Sequence, residues 1–304
     1  ENEVVIHFRT GNVLIGYANP DYPILKFKYF YDIIKQEQET KKISNITIIW
    51  RMPYDNKDTK IENGDYDRDL YTINALKTLE VSNDVELVVR INCQRTKFGL
   101  LDLEAFVSSK MNIKSLMLPK VKTPDEITFI DDLLTDCGLD TNLHVIMETN
   151  EALESIYDIA HSSKRIVALY FGGVDMAAEL RVPNEYKNLI YARSKLVHAG
   201  ASVGVDVVDV PYLDLEDMDG MKKEAELVRD LGFTGKGSIH PKQINILNEI
   251  FTPSKEEISK AKRIVDQFNA SDTGLVVIEG KLIEKPVLRE MQRKILIAEK
   301  INQS

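Results

Sequence analysis

Leu143-His144-Val145-Ile146-Met147-Glu148-Thr149 and Ile166-Val167-Ala168-Leu169-Tyr170-Phe171-Gly172-Gly173-Val174-Asp175 decide the fold. Each opens as an apolar run of strand length and stops at a polar or glycine turn. The stretch between them, 151–162, has the apolar spacing of an amphipathic helix. A strand–helix–strand unit runs its two strands parallel, so both C-terminal ends open on one side. Glu148 and Asp175 then share a rim. Two carboxylates there, with no adjacent basic residue in sequence, are a seat for a hard divalent cation. The alternative is that each caps a helix or makes a surface ion pair.

Outward from this unit the same alternation recurs. Strand-like runs lie at 13–17, 46–50, 85–91, 115–118, 143–147, 166–171, 202–208 and 236–239. Helical patterns lie at 22–38, 67–79, 102–108, 124–135, 151–162, 186–198 and 220–231. Apolar strands alternating with amphipathic helices predict a parallel sheet. Eight units fit a (β/α)8 TIM barrel better than an open doubly wound sheet. No Gly-x-Gly-x-x-Gly follows an early strand, which argues against the dinucleotide-binding version of that sheet. The segment 54–69, rich in Asp, Lys and Asn, reads as a long exposed loop.

After Pro241 the pattern changes. Residues 243–250 read as the eighth helix. Ser254 with Glu257 three residues on is a capping box that opens another helix. A short strand at 275–277 and a last amphipathic helix at 285–301 follow. The expected organisation is a barrel over 1–250 and a C-terminal helical extension over 251–304 that packs at a subunit interface.

Bulk properties narrow the partners. The 304 residues carry a net charge of −9, which argues against nucleic acid or an anionic membrane as main partner. An anionic substrate then needs a local positive site or a metal. The two cysteines, Cys93 and Cys137, fit no metal-ligand spacing and no disulfide framework. With no run of transmembrane length and no signal-peptide pattern, a reducing, cytoplasmic location is expected.

In a barrel the active site lies at the C-terminal rim of the strands. The rim residues are Arg51, Arg90, Asn92, Pro119-Lys120, Glu148, Asp175, Asp209 and His240. Arg90 ends an apolar run, where it either grips a carboxylate with two parallel hydrogen bonds or ties to a neighbouring Asp or loop carbonyls. Lys120 is either a Schiff-base lysine or one that positions an anion or stays solvated. His240, before Pro241, is a base or a structural residue. Gly172-Gly173 lets backbone approach a ligand closely or makes a tight turn.

Taken together, these segments resemble the citrate lyase beta-subunit family, part of the HpcH/HpaI aldolase/citrate lyase superfamily, which includes citramalyl-CoA and malyl-CoA lyases. The matching stretches are Val88-Val89-Arg90-Ile91-Asn92, Leu118-Pro119-Lys120-Val121, Met147-Glu148-Thr149 and Phe171-Gly172-Gly173-Val174-Asp175-Met176-Ala177. Tyr191-Ala192-Arg193, Leu231-Gly232-Phe233-Thr234-Gly235-Lys236 and Ile239-His240-Pro241-Lys242-Gln243 follow. In the tail come Phe251-Thr252-Pro253-Ser254 and Glu279-Gly280-Lys281-Leu282-Ile283-Glu284-Lys285-Pro286. The resemblance spans roughly 86–301 and implies a (β/α)8 barrel with a helical extension, commonly trimeric or hexameric.

It further implies Mg²⁺ held by Glu148 and Asp175, with Arg90 on the substrate's acid end. Gly172, Gly173 and Asn92 would lie on the substrate side, and Lys120 would help neutralise its charge. Glu284 would reach a neighbouring subunit's site for acid/base work. Two departures stand out. Ile48-Ile49-Trp50-Arg51-Met52-Pro53-Tyr54-Asp55 replaces the family's acidic Asp-Leu-Glu-Asp-Ala-like motif, and Glu284 stands where Asp is usual.

The chemistry implied is reversible aldol cleavage of a 3-hydroxyacyl-CoA to acetyl-CoA and a 2-keto acid. The alternatives are a citrate lyase beta subunit acting on a carrier-protein thioester, a 2-keto acid aldolase without CoA, and a catalytically silent homologue.

Overall fold

β-Strands Asn142–Met147 (β5) and Ile166–Phe171 (β6) flank helix Asn150–His161 (α3), as the opening stretch predicts. The strands pair in parallel, with Met147 opposite Phe171, so Glu148 and Gly172 leave the sheet side by side. The computed structural model describes residues 4–8, 46–51, 85–109, 113–271, 276–278 and 280–303.

The fold is α/β, a curled parallel sheet with helices. Its strands are Val4–Phe8 (β1), Ile46–Arg51 (β2), Val85–Arg90 (β3), Ser115–Leu118 (β4), β5, β6, Asp206–Asp209 (β7) and Gly235–Ser238 (β8). Each pairs in parallel with the next, and β1 also pairs with β8. Helices follow β3 to β8: Lys97–Ser108 (α1), Pro124–Asp136 (α2), α3, Gly173–Leu180 (α4), Tyr186–Val203 (α5), Met218–Leu231 (α6) and Pro241–Phe251 (α7). Helical patterns 22–38 and 67–79, and the loop 54–69, lie outside the described residues.

Alternation along the strands sorts two cores. Val88, Met117, Ile146, Ala168, Tyr170 and Val208 pack with one another on the concave face. Val89, Leu118, Val145, Leu169 and Phe171 point the other way and pack with helix residues such as Ile127, Ile156 and Leu196. Burial on both faces explains why the strands read as continuous apolar runs.

Two sequence expectations need correction. The first strand of the ring is Val4–Phe8; the run 13–17, expected in that place, lies outside the described residues. The run 202–208 is not one strand: Ser202 and Val203 finish α5, Gly204 ends it at φ 75°, and β7 begins at Asp206. A glycine with positive φ stops a helix without steric cost.

The tail forms helix Lys255–Asn269 (α8), an antiparallel hairpin of Val276–Ile278 (β9) and Lys281–Ile283 (β10), and helix Lys285–Gln303 (α9). The expected capping box is present: Ser254 accepts from the Glu257 N–H and Glu257 accepts from the Ser254 N–H. Ile264, Phe268, Ile278 and Ile283 form the tail's own apolar cluster. Val277 and Leu282, partners across the hairpin, are exposed.

Candidate functional site: an acidic rim beside two basic residues

Glu148 leaves β5 buried, and Thr149 immediately caps α3 by accepting from the Ala152 N–H. Thr149 Oγ1 also donates to the Val121 carbonyl, tying this turn to the loop after β4. Gly172 makes the space: a Cβ there would stand 2.3 Å from Glu148 Cβ and 2.8 Å from Oε2. Burial pushes the Glu148 carboxyl up to about 7; the Arg90 guanidinium opposes this and the Asp175 charge adds to it.

Asp175 sits in the first turn of α4, a helix that starts directly at Gly173, where the sequence suggested a close backbone approach to a ligand or a tight turn. Lys120 joins the two carboxylates. Its backbone N–H donates to Glu148 Oε1 at 2.9 Å, and its ammonium donates to Asp175 Oδ1 at 2.5 Å. Partial burial pushes the Asp175 carboxyl up, but the Lys120 hydrogen bond and charge outweigh this and hold it below its ordinary value. Lys120 adopts φ 56°, the left-handed region, at roughly 1–2 kcal/mol for a non-glycine residue. Arg90 closes the group, with Nη2 4.0 Å from Glu148 Oε1. Its Cα partner on β2 is Arg51, at the position where the family resemblance leads one to expect acid.

The donor set fits Mg²⁺. Among the described residues no group of three or more His, Cys, Asp or Glu side chains gathers as a metal cage. Mg²⁺ characteristically takes one or two carboxylates and completes its shell with water and substrate oxygen, whereas a structural Zn²⁺ site needs four protein ligands. The buried Glu148, which Arg90 offsets only from 4.0 Å, is the group a cation would satisfy.

Other expected site residues stand elsewhere. Asn92 donates through both its backbone N–H and its side-chain amide to Asp102 Oδ2, each at 2.7 Å. Asn92 Oδ1 is buried without a hydrogen-bond partner among the described residues. Gly173 has Val210 and Phe171 side chains where a Cβ would go, so its close contact is with protein. Glu284 is exposed at the junction of β10 and α9, and the interactions linking Arg90, Lys120, Glu148 and Asp175 do not include it. His240 is a helix cap: Nδ1 accepts from the Lys242 N–H at 3.1 Å.

Asp209 is not in the acidic group. It points to the outer face of β7, where Arg193 Nε donates to Oδ1 at 2.8 Å and Lys236 Nζ to Oδ2 at 2.6 Å. Desolvation raises its carboxyl, but the charges of Lys236 and Arg193 prevail and keep it low. Lys236 also reaches Glu224, and Arg193 lies over the Phe171 and Tyr186 rings. Sequence reasoning missed this network and the bracing of the β3 and β4 loops by Glu126, which accepts from Gln94, Arg95 and the Lys122 N–H. In the sequence Arg193 and Lys236 stand out only as parts of stretches that match the family, with no role attached.

A parallel α/β sheet with two rim carboxylates, and an arginine and a lysine beside them, gathers groups whose chemistry suits a hard cation and an anionic oxygen ligand. The chain belongs to the HpcH/HpaI aldolase/citrate lyase family, matched over residues 66–241. It is 28% identical to the citrate lyase subunit beta of Leuconostoc mesenteroides subsp. cremoris over 74% of this chain and 77% of the relative. It is also 28% identical to the mitochondrial citramalyl-CoA lyase of Rattus norvegicus, over 88% and 84%. These relatives set the reaction class, carbon–carbon lyase. The crystal structure of CitE from Mycobacterium tuberculosis, in complex with magnesium, acetoacetate and coenzyme A, is 23% identical. It aligns with a TM-score of 0.65 over 83% of this chain and 90% of that one, a likeness of fold.

Proposed function

We propose that the chain is a Mg²⁺-dependent lyase that cleaves a 3-hydroxyacyl-CoA of citramalyl, malyl or citryl type into acetyl-CoA and a 2-keto acid. The reading takes residues 1–250 as a complete (β/α)8 barrel and 251–304 as an extension seated on a neighbouring subunit in a homotrimer or hexamer. It assigns the enzyme to the cytoplasm. The observation that carries it is the meeting of Glu148 and Asp175 at one rim through Lys120, with Arg90 4.0 Å from Glu148. The relative named citramalyl-CoA lyase supports the substrate class, and the magnesium and coenzyme A of the CitE complex support the cofactor and the thioester.

Glu148 and Asp175 would hold Mg²⁺, which would supply Lewis acidity to the substrate's oxygens. Arg90 holds the substrate's carboxylate with paired N–H donors. Lys120 offsets substrate charge, and Gly172 keeps the space that Glu148 occupies free of a side chain. A base takes the hydroxyl proton and the C–C bond breaks. Its electron pair passes to the thioester as an enolate, whose carbon is then protonated. Glu284 of a neighbouring subunit serves that proton transfer.

A screen of citramalyl-CoA, malyl-CoA and citryl-CoA with Mg²⁺, following acetyl-CoA, tests this; no release from any of them rejects it. The similarity to citrate lyase subunit beta favours a second reading, a carrier-protein thioester as substrate. Turnover of that thioester alone would select it.

A further inference from the structure

Lys120 contacts the two carboxylates by two independent routes. The backbone N–H, aimed by the left-handed turn, fixes Glu148, while the ammonium on its flexible stem reaches Asp175. The first contact needs no charge and belongs to the backbone, not to the lysine side chain. The second is a cation seated on the oxygen that a metal would use. Lys120 and Asp175 side chains are 40% and 48% exposed, so this ion pair opens to solvent, whereas Glu148 beneath it is 3% exposed. Two carboxylates at one site repel each other unless a cation stands with them. The cation that stands with Asp175 is the Lys120 ammonium.

We propose that Lys120 is the site's placeholder cation: its ammonium holds Asp175 while no metal is bound, and gives the carboxylate up when Mg²⁺ arrives. It rests on the reading of Glu148 and Asp175 as the metal's carboxylates. Two consequences follow from charge alone. Mg²⁺ must displace a cation already in place, so the lysine weakens metal affinity. The freed ammonium, on a stem that swings without moving the backbone, then faces the rim where an anionic substrate binds. Lys120 is thus a positioning residue for the empty site and a charge partner for the filled one.

The test is calorimetric titration of the metal-free chain with MgCl2, on the unmodified protein, Lys120→Met, Lys120→Gly and Lys120→Arg. Glycine keeps the N–H and suits the left-handed backbone; methionine keeps the stem without the charge. Both neutral variants are expected to bind Mg²⁺ about tenfold more tightly, and Lys120→Arg to stay near the unmodified value. The neutral variants should also gain more in Tm on Mg²⁺ addition, since tighter binding stabilises more. Equal or weaker Mg²⁺ binding in both neutral variants, alongside binding by the unmodified chain, overturns the placeholder role. No Mg²⁺ binding by the unmodified chain counts instead against the metal reading beneath it.

Discussion

Gly172 and Glu148 occupy each other's space: a methyl group on Gly172 would meet the Glu148 side chain at 2.3 Å. The glycine therefore serves the carboxylate, whatever else it serves. Gly172→Ala is expected to push Glu148 off its position and cost about 100-fold in kcat/KM, as ångström-scale misplacement does. Far-ultraviolet circular dichroism should stay native. An active Gly172→Ala variant would show that Glu148 need not stand where it does.

Arg90 tests the grip on the substrate's acid end. An ammonium lacks the planar pair of donors, so Arg90→Lys should lose roughly 10–100-fold in kcat/KM. Steady-state kinetics with the best thioester from the screen measures it. Unchanged efficiency would make Arg90 a partner of Glu148 only.

The ion network of Asp209, Arg193 and Lys236 predicts a stability effect away from the chemistry. All three are buried, so Asp209→Asn leaves cations under-compensated and should cost about 3–5 kcal/mol in denaturant unfolding. The pH dependence has a definite sign. Asp209 has a lowered pKa in the folded chain, so its stabilisation is present above its ordinary value near 3.8 and is lost as pH falls through the folded value. The unmodified protein should therefore lose stability below pH 3.8 more steeply than Asp209→Asn. Parallel curves for the two proteins would remove the network from the account.

Much of this was legible in the sequence. The β5–α3–β6 unit and the rim positions of Glu148 and Asp175 follow from two apolar runs, and the start of α8 from its capping box. What stayed hidden has physical reasons. Two apolar runs near the N-terminus, 4–8 and 13–17, have similar length, and propensity does not rank them. Gly172-Gly173 looks like a turn because glycine disfavours helix, yet α4 begins at Gly173, and Gly172 is there because Glu148 leaves no room for a side chain. The left-handed backbone of Lys120 carries no glycine to announce it. Asp209 reads as a rim acid until the structure shows it on the outer face of its strand, between Arg193 of α5 and Lys236 of β8.

Glu284 tests the shared site. It stands exposed beside the exposed hairpin pair Val277 and Leu282 on the tail. If it acts in a neighbouring subunit, Glu284→Ala and Glu148→Gln chains are each inactive alone. Mixed after subunit exchange, they should recover up to roughly a quarter of the unmodified rate, as sites pairing two intact residues form by chance. Absence of rescue in oligomers shown to have exchanged, or a monomer by light scattering, would keep Glu284 out of the mechanism.

The central claim is that Glu148 and Asp175 hold the metal that cleavage requires. The most direct measurement is acetyl-CoA release from the best thioester across a Mg²⁺ titration, with the unmodified chain and Glu148→Gln compared side by side. The account predicts release that rises with Mg²⁺, stops with EDTA, and falls at least 1,000-fold in a folded Glu148→Gln variant, on the order of removing a metal's charge stabilisation. Release that persists in EDTA, or that Glu148→Gln retains, would contradict it.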